Sequence, residues 1–446
     1  MAALQTINNS ELFSIIEGMI KSASKQSGVT AVAVGGSLDS GLSASVRLGE
    51  VETIEFNRDK SISIMIYKNK RKGVVSITDL SATAIDSAIK AASRIADYTE
   101  EDPYSGLAEK EFLARNIPDL SLHHPAGITA EQAISYAKEC EAAALGYDKR
   151  ITNSEGATFS THEQYYVYGN SDGFLAAYPT SKYAAYCTTI GQVGSSMQRD
   201  YDYTVARDVH DLDSMKQVGI NAAKKTIDRL GAKKIKTCRA PVLMIPKIAN
   251  TFWNTFISAI SGGNLYRKSS FLLDTLGQTI FPNFVNIQEK PFLLKGLGSA
   301  PFDDEGVATS DKNIITAGVL DTYILSSYSA RRLGMQTTGN AGGVHNLCIS
   351  PGSDDFAQLT NKMGTGLIVT EFLGHGTNIV TGDFSHGAAG FWVENGAVVY
   401  PVEEITIAGN LRDMYRSIIA LGSDVESRWS TLTGSVLLDE LTIAGD

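Results

Sequence analysis

Apolar positions along the chain follow two periods, and the places where one gives way to the other mark the predicted elements. Between Gly28 and Ser81 the period is two. The runs TAVAVGG, LSASVRLGEVETIEF, SISIMIYKN and GVVSITDLS read as four short strands of a meander, with Ile62, Ile64 and Ile66 on one face and Ser61, Ser63 and Met65 on the other. The period then lengthens. From Ser81 the apolar residues fall at Ile85, Ala88, Ile89, Ala92 and Ile95, which predicts a helix covering those strands. An amphipathic helix capped by Asn9 or Ser10 precedes them, and two more helices are predicted, from about Thr129 to Gly146 and from about Asp213 to Leu230.

Between the helices, Glu100 to Gly127 carries proline and charge with little periodicity and reads as a linker, its His123 and His124 solvated. Asn170-Ser171-Asp172-Gly173 marks a turn between aromatic strands. In the second half, APVLMIPK reads as a strand bracketed by Pro241 and Pro246, the latter opening the next helix. Near the end a hairpin closes at Asn395-Gly396, followed by a strand and a helix capped by Asn410 with Gly422 after it. EITIAGN from Glu404 and ELTIAGD from Glu440 nearly repeat; two strands in similar environments suffice to explain this. The fold class is therefore α+β. Residues 1–115 form an N-terminal two-layer α/β sandwich, 116–235 a middle α+β segment packed with it, and 236–446 a β-rich mixed domain.

Composition narrows the function. A chain of 446 residues, 43% hydrophobic and 20% charged, can bury a large core and is no candidate for disorder. The net charge of -10 argues against nucleic acid as a partner. The densest basic run, Lys68 to Lys72, reads as a solvated hairpin tip, with a small patch for anions as the alternative. Four scattered cysteines without a C-x-x-C spacing, no signal-peptide core and no run of membrane-spanning length point to a reduced, cytoplasmic protein.

The stretch from Phe252 to Ser270 holds the main chemical candidates. Ile248, Phe252, Trp253, Phe256, Ile257 and Ile260 form the apolar side of a helix. Thr251, Asn254, Thr255, Ser258 and Ser261 form a stripe without charge. Such a stripe faces either water or a cleft. Gly262 and Gly263 end the helix and permit close backbone approach, and Tyr266, Arg267, Lys268, Ser269 and Ser270 offer donors for a carboxylate or a peptide carbonyl. A Lys268 and Ser269 or Ser270 pair would be a poor nucleophile, because sequence neighbours seldom reach each other.

Elsewhere, Asp303, Asp304 and Glu305 read as a charged turn. The loop Thr337 to Asn346, with Asn340 and His345, reads either as an edge that accepts peptide backbone or as a plain loop. Glu371, His375, Asp383 and His386 lack a recognised ligand spacing.

Eight segments in order carry a resemblance: NRDKSISI, KRKGVVSITDLS, DKRITNSEG, SGGNLYRKSSFLLDTLG, PFDDEGV, SSYSARRLG, NAGGVHN and VTGDFSHGAAGFWVENGAVVYPVEEITIAGNL. The sequence resembles the TldD/PmbA family of peptidase-related proteins over nearly its whole length, and within it the PmbA or TldE branch. In the TldD branch the corresponding helix carries His-Glu-x-x-x-His, and a late cysteine completes a metal site. The resemblance places those three positions on Trp253, Asn254 and Ser258, and the last cysteine here is Cys348. It implies a non-catalytic subunit that holds no metal and lends a peptide groove to a TldD-type paralogue. That partner would carry the divalent metal and act on unfolded peptides, and the isolated chain would be able to form a homodimer. Asn254, Ser258, Tyr266, Arg267, Lys268, Ser269, Asn340 and His345 are the expected groove residues. The alternative is a metal-free regulatory binding protein of the DNA gyrase modulator type.

Overall fold

The computed structural model describes residues 8–446. The first half runs α1 (Asn9–Ala23), β1 (Ala31–Arg47), β2 (Glu50–Lys68), β3 (Arg71–Ile77), α2 (Ala82–Tyr98), α3 (Ala130–Leu145), β4 (Ile151–Asn170), β5 (Leu175–Val193), β6 (Ser196–Ala206) and α4 (Met215–Asp228). Its strands form one antiparallel six-stranded sheet in the order β3-β2-β1-β4-β5-β6. Side chains alternate along a strand, so the even positions of β1 all face helices. Val32 and Val34 pack with α1 and α2, while Leu42, Ala44 and Val46 pack with α3 and α4.

The expected meander of four short strands is three strands, two of them long. β1 continues through Gly35, Gly36 and Gly41 because its neighbours crowd against it: a methyl group on Gly41 would stand 2.6 Å from Asn57 Oδ1 and 2.8 Å from the Thr161 carbonyl oxygen. The cap of α1 is Asn8, one residue before the predicted positions. Its side chain accepts from Glu11 N, and Glu11 returns a bond to Asn8 N, a reciprocal pair that neither Asn9 nor Ser10 completes. Ser81 and Thr129 cap α2 and α3 as the sequence predicts, and the Asn170 to Gly173 turn joins β4 to β5.

The second half runs β7 (Cys238–Met244), α5 (Pro246–Ala259), α6 (Gly262–Tyr266), β8 (Ile287–Glu289), β9 (Lys312–Thr316), β10 (Val319–Leu320), α7 (Ser327–Leu333), β11 (Leu347–Ile349), α8 (Phe356–Met363), β12 (Gly366–Leu373), β13 (Asp383–Glu394), β14 (Ala397–Asn410), α9 (Leu411–Arg416), β15 (Ile418–Leu421), β16 (Thr431–Leu432) and β17 (Val436–Ala444). One sheet follows the order β14-β13-β12-β7-β17-β15 and closes on itself where β14 pairs with β17. That closure joins the two near-repeats: Thr406, Ile407 and Ala408 lie opposite Ala444, Ile443 and Thr442. A smaller sheet holds β10-β9-β8-β11-β16. The helix begun at Asn410 stops at Arg416 rather than near Gly422, because β15 has to pair with β17 over Ile418 to Leu421.

The segment predicted as a linker is a docked strap. Leu113 pairs with Val307, and the Arg331 guanidinium donates to the carbonyls of Tyr104 (3.0 Å), Gly106 (3.3 Å) and Leu107. The Tyr183 hydroxyl holds the His124 carbonyl at 2.7 Å. The segment's own pattern is aperiodic because its order comes from partners distant in sequence. No helix among the described residues is long and apolar enough to cross a membrane.

Candidate functional site

Helix α5 begins at Pro246, whose missing N–H costs nothing at a helix start. Its apolar side is the centre of the second half's core. Phe252, Trp253 and Phe256 are buried against Phe281 and Tyr415, with ring centres 4.9–5.8 Å apart among these contacts. The Trp253 indole N–H donates to Thr433 Oγ1 at 2.9 Å. Trp253 therefore points into the core, whereas Asn254 and Ser258 lie on the exposed side. The three positions that the resemblance equates with a metal motif do not share a face in this chain.

Past Lys247, whose Nζ lies 4.3 Å from the Tyr201 ring centre, the exposed side is neutral from Thr251 to Ser258. Asn254 Nδ2 donates to the Asn250 carbonyl (2.9 Å), and Thr431 Oγ1 reaches Asn254 Oδ1 at 3.5 Å. The Ser258 carbonyl accepts from Ser261 Oγ (2.9 Å) and Asn264 Nδ2 (2.8 Å). Hydroxyls and carboxamides of this kind supply neither the imidazole or thiolate ligands nor the base that zinc hydrolysis needs. Among the described residues no three His, Cys, Asp or Glu side chains come together in a way that would hold an ion. The residues on this face do not fit a catalytic metal.

Close approach at Gly262 is internal. A methyl group there would stand 2.3 Å from Ser329 Oγ and 2.8 Å from Leu325 Cδ2, so this glycine lets α6 lie against α7. The contact brings Tyr266 and Arg267 beside Tyr328 and Arg332. Arg267 lies 5.3 Å and Arg332 5.1 Å from the Tyr266 ring centre, and Tyr328 meets that ring edge-on at 5.7 Å. Arg332 also lies 4.9 Å from the ring of Tyr104 on the strap. Tyr328 Oη donates to Asp102 Oδ2 at 2.7 Å. Although burial opposes ionisation of Asp102, bonds from Tyr328 and the Tyr104 N–H, with the charges of Arg332 and Lys72, hold its carboxyl below the usual range. Sequence reading singled out Tyr266 and Arg267 but not Tyr104, Tyr328 and Arg332, which the structure brings beside them. The SSYSARRLG run holds Tyr328 and Arg332; Tyr104 lies outside it and meets Arg332 through tertiary contact alone.

Lys268 is exposed with a φ of 56°, and Ser269 follows it. The Ser269 hydroxyl donates to the Arg267 carbonyl (3.4 Å) and Ser270 to that of Ala259 (2.6 Å), so neither is paired with Lys268. Asn340 and His345 lie apart from this ridge. Asn340 Nδ2 (2.8 Å) and the His345 N–H (2.6 Å) donate to Oε1 of the fully buried Glu289, whose Oε2 lies 2.9 Å from Lys312 Nζ. Burial would raise this carboxyl; the bond from His345 and the Lys312 charge outweigh it and lower it. The network fastens the Gly-rich loop to β8 and β9.

Asp303, Glu305, Glu371 and His386 are fasteners as well, while His375 is exposed. The buried Asp303 carboxylate accepts the N–H groups of Glu305, Val307 and Ala341, each at 2.9 Å, and burial raises its pKa to about 6. Glu305 Oε2 accepts from Ser327 N at the start of α7. Glu371 pairs with Arg229 at 2.7 Å, and His386 sits between Phe372 and Phe384 with Nε2 at 2.8 Å from Thr377 Oγ1. A cavity of about 1090 Å³ opens between the strap and the Gly-rich loop and is walled by Phe112, Leu113, Phe292 and Pro301.

Three family models cover most of the chain, all described as PmbA/TldA metallopeptidase: domain 1 at 37–96, the central domain at 123–230 and the C-terminal domain at 237–445. Metalloprotease PmbA of Escherichia coli O157:H7 is 49% identical over 405 residues, 91% of this chain and 90% of that protein. The chain belongs to the PmbA/TldD family. A PmbA homolog of Haemophilus influenzae, also described as a metalloprotease, is 46% identical over the full chain and 98% of its own length. Among solved structures, a Bacteroides thetaiotaomicron protein described as a candidate modulator of DNA gyrase superposes with a TM-score of 0.93, at 27% identity over 99% of this chain and all of that one. TldE of Thermococcus kodakarensis superposes at 0.85 over 97% of this chain and all of that one; at 20% identity this likeness concerns the fold. The family's first two domain models share a single sheet here, since β1 of one pairs along its length with β4 of the other.

Proposed function

We propose that this PmbA/TldD-family chain is the non-catalytic, groove-forming subunit of a TldD/TldE-type heteromeric metalloprotease that acts on unfolded peptides. The observation that carries this reading is the neutral outer face of α5 from Thr251 to Ser258: the fold of a metallopeptidase family is kept, while this face offers carboxamides and hydroxyls in place of ligands and a base. A TldD-type paralogue in the same cytoplasm supplies the divalent metal and the water-activating group. This chain supplies one wall, with Asn254 and Ser258 meeting peptide backbone and Tyr266, Arg267, Lys268 and Ser269 lying at its end. A homodimer of the isolated chain would use the surface meant for the paralogue.

Mixing the two purified chains and assaying an unfolded peptide tests the reading. Cleavage that appears only in the mixture and disappears with chelator supports it. Chelator-resistant cleavage by this chain alone overturns it. Binding to gyrase with no need for a TldD-type chain would favour the regulatory alternative, which the description of the Bacteroides relative suggests.

A further inference from the structure

Two basic runs that are remote in sequence meet in space, on a chain whose net charge is -10. The β2–β3 turn is tied to the strap: Asp102 N donates to the Lys70 carbonyl (3.0 Å), and Lys70 Nζ reaches the Ser105 carbonyl (3.1 Å). The α7 arginines are tied to the same strap, Arg331 through Glu109 (2.9 Å) and three carbonyls, Arg332 through the Tyr104 ring. Lys72 and Arg332 both act on the Asp102 carboxylate. Arg267 joins through Tyr266. Lys70, Lys72, Arg267 and Arg332 are exposed and make no ion pair among the described residues; Asp102 and Glu109 are carboxylates built into this face, and Glu305 accepts from Ser327 N at the start of α7.

We infer that the face formed by Lys70, Lys72, Tyr104, Tyr266, Arg267 and Arg332 docks an extended peptide segment rich in glutamate or aspartate. Charge complementarity selects an anion, and the aromatic rings select which one. A single-stranded nucleic acid needs open ring faces for its bases. Here the Tyr266 and Tyr104 rings already have guanidiniums over them, and Tyr328 meets Tyr266 with an edge. The guanidiniums over these rings keep N–H groups for carboxylates, which arginine binds in bidentate fashion. The uncharged stripe of α5 leads through α6 to this face, so a strand lying along Asn254 and Ser258 would carry its acidic residues onto it. The inference deepens the groove reading by naming the substrate's charge, and rests on it only for the docked peptide being a substrate.

The test uses the isolated full-length chain and fluorescence anisotropy with labelled peptides of about twelve residues, alternating Glu-Gly against Gln-Gly, beside an oligothymidylate of similar length. The Glu-Gly peptide is expected to bind about tenfold tighter than Gln-Gly and to weaken with added salt. The double substitution Arg267→Ala with Arg332→Ala should remove about tenfold or more of that affinity, while Lys216→Ala, on an exposed side of α4, should leave it unchanged. Should the double variant fail to fold, Lys72→Glu at the exposed start of β3 gives the same reading. Equal binding of the two peptides, insensitivity to the substitutions, or tighter binding of oligothymidylate through the same residues overturns the proposal. Failure of the mixed-chain cleavage assay with the acidic preference intact would sink the subunit reading alone; cleavage without acidic preference would sink this one alone.

Discussion

Lys312→Met tests how the Gly-rich loop is held. Glu289 is 0% exposed and Lys312 has 16% of its side chain exposed, with Nζ 2.9 Å from Glu289 Oε2. The lysine also donates to Asn340 Oδ1 (2.9 Å) and to the Thr338 carbonyl. Methionine keeps the volume and removes the charge, leaving a buried carboxylate with only its Oε1 donors, Asn340 and His345. Breaking a buried pair by removing one partner costs about 3–5 kcal/mol, and the surviving donors put the expectation at the low end, about 3 kcal/mol at pH 7.

The dependence on pH has a definite sign. In the native chain the Glu289 carboxyl is lowered, so its contribution is present above its unfolded value of 4.5 and is lost as pH falls. Without Lys312 the carboxyl rises, and protonation relieves the variant at low pH. The stability gap between the native chain and the variant should therefore widen from pH 5 to pH 8. Urea unfolding measures the gap, and hydrogen exchange over residues 337–346 shows whether the loop loosens first. Combining Lys312→Met with Glu289→Gln should cost less than the sum of the two, because the orphaned charge is gone. A gap below about 1 kcal/mol that does not change with pH would refute the reasoning.

Asp303→Asn should flatten a second pH dependence. Burial raises this carboxyl from 3.8 to about 6, so its contribution is full below 3.8 and lost as pH rises through 6. The native chain should gain on the variant as pH is lowered from 7 to 4, and parallel stability curves would count against this. Gly262→Ala should destabilise by about 1–3 kcal/mol, because a methyl group 2.5 Å from Ser329 Cβ has to push α7 away; an unchanged melting temperature would contradict it. Trp253→Phe should cost about 1–3 kcal/mol through the lost bond to Thr433 and the space left behind, read by the same melts, with peptide binding to the outer face of α5 retained.

Local signals were legible in the sequence because their causes are local. Ser81 and Thr129 sit as helix caps because their side chains bond backbone three residues on. Asn395 and Gly396 take the positive φ values, 50° and 77°, that a two-residue hairpin demands. The period of the apolar residues placed Ile62, Ile64 and Ile66 on a wholly buried face and Phe252, Trp253 and Phe256 inside a core. Family membership was also legible, since its segments recur in order whatever surrounds them. Even Ile95, predicted on the buried stripe of α2, shows the boundary of this method: it is 44% exposed, because at that end of the helix Ala92 and Ala96 lie against Gly73 of β3.

Where an element stops, and what it touches, was decided by partners remote along the chain. Nothing in the residues after Asn410 announces that β17 will claim Ile418 to Leu421. Nothing in the aperiodic strap announces that Arg331 and Val307 will hold it. Asn340 and His345 have the chemistry of a binding loop and are spent on Glu289, fifty-one and fifty-six residues away. Lys70, Tyr104, Arg267 and Arg332 likewise become one surface only because β2, the strap, α6 and α7 pack together. The sequence alone determined the helices, the hairpins and the family, each encoded within a few turns of chain. Only the tertiary structure decided which polar groups lie together and which are left facing solvent, because long-range packing sets both.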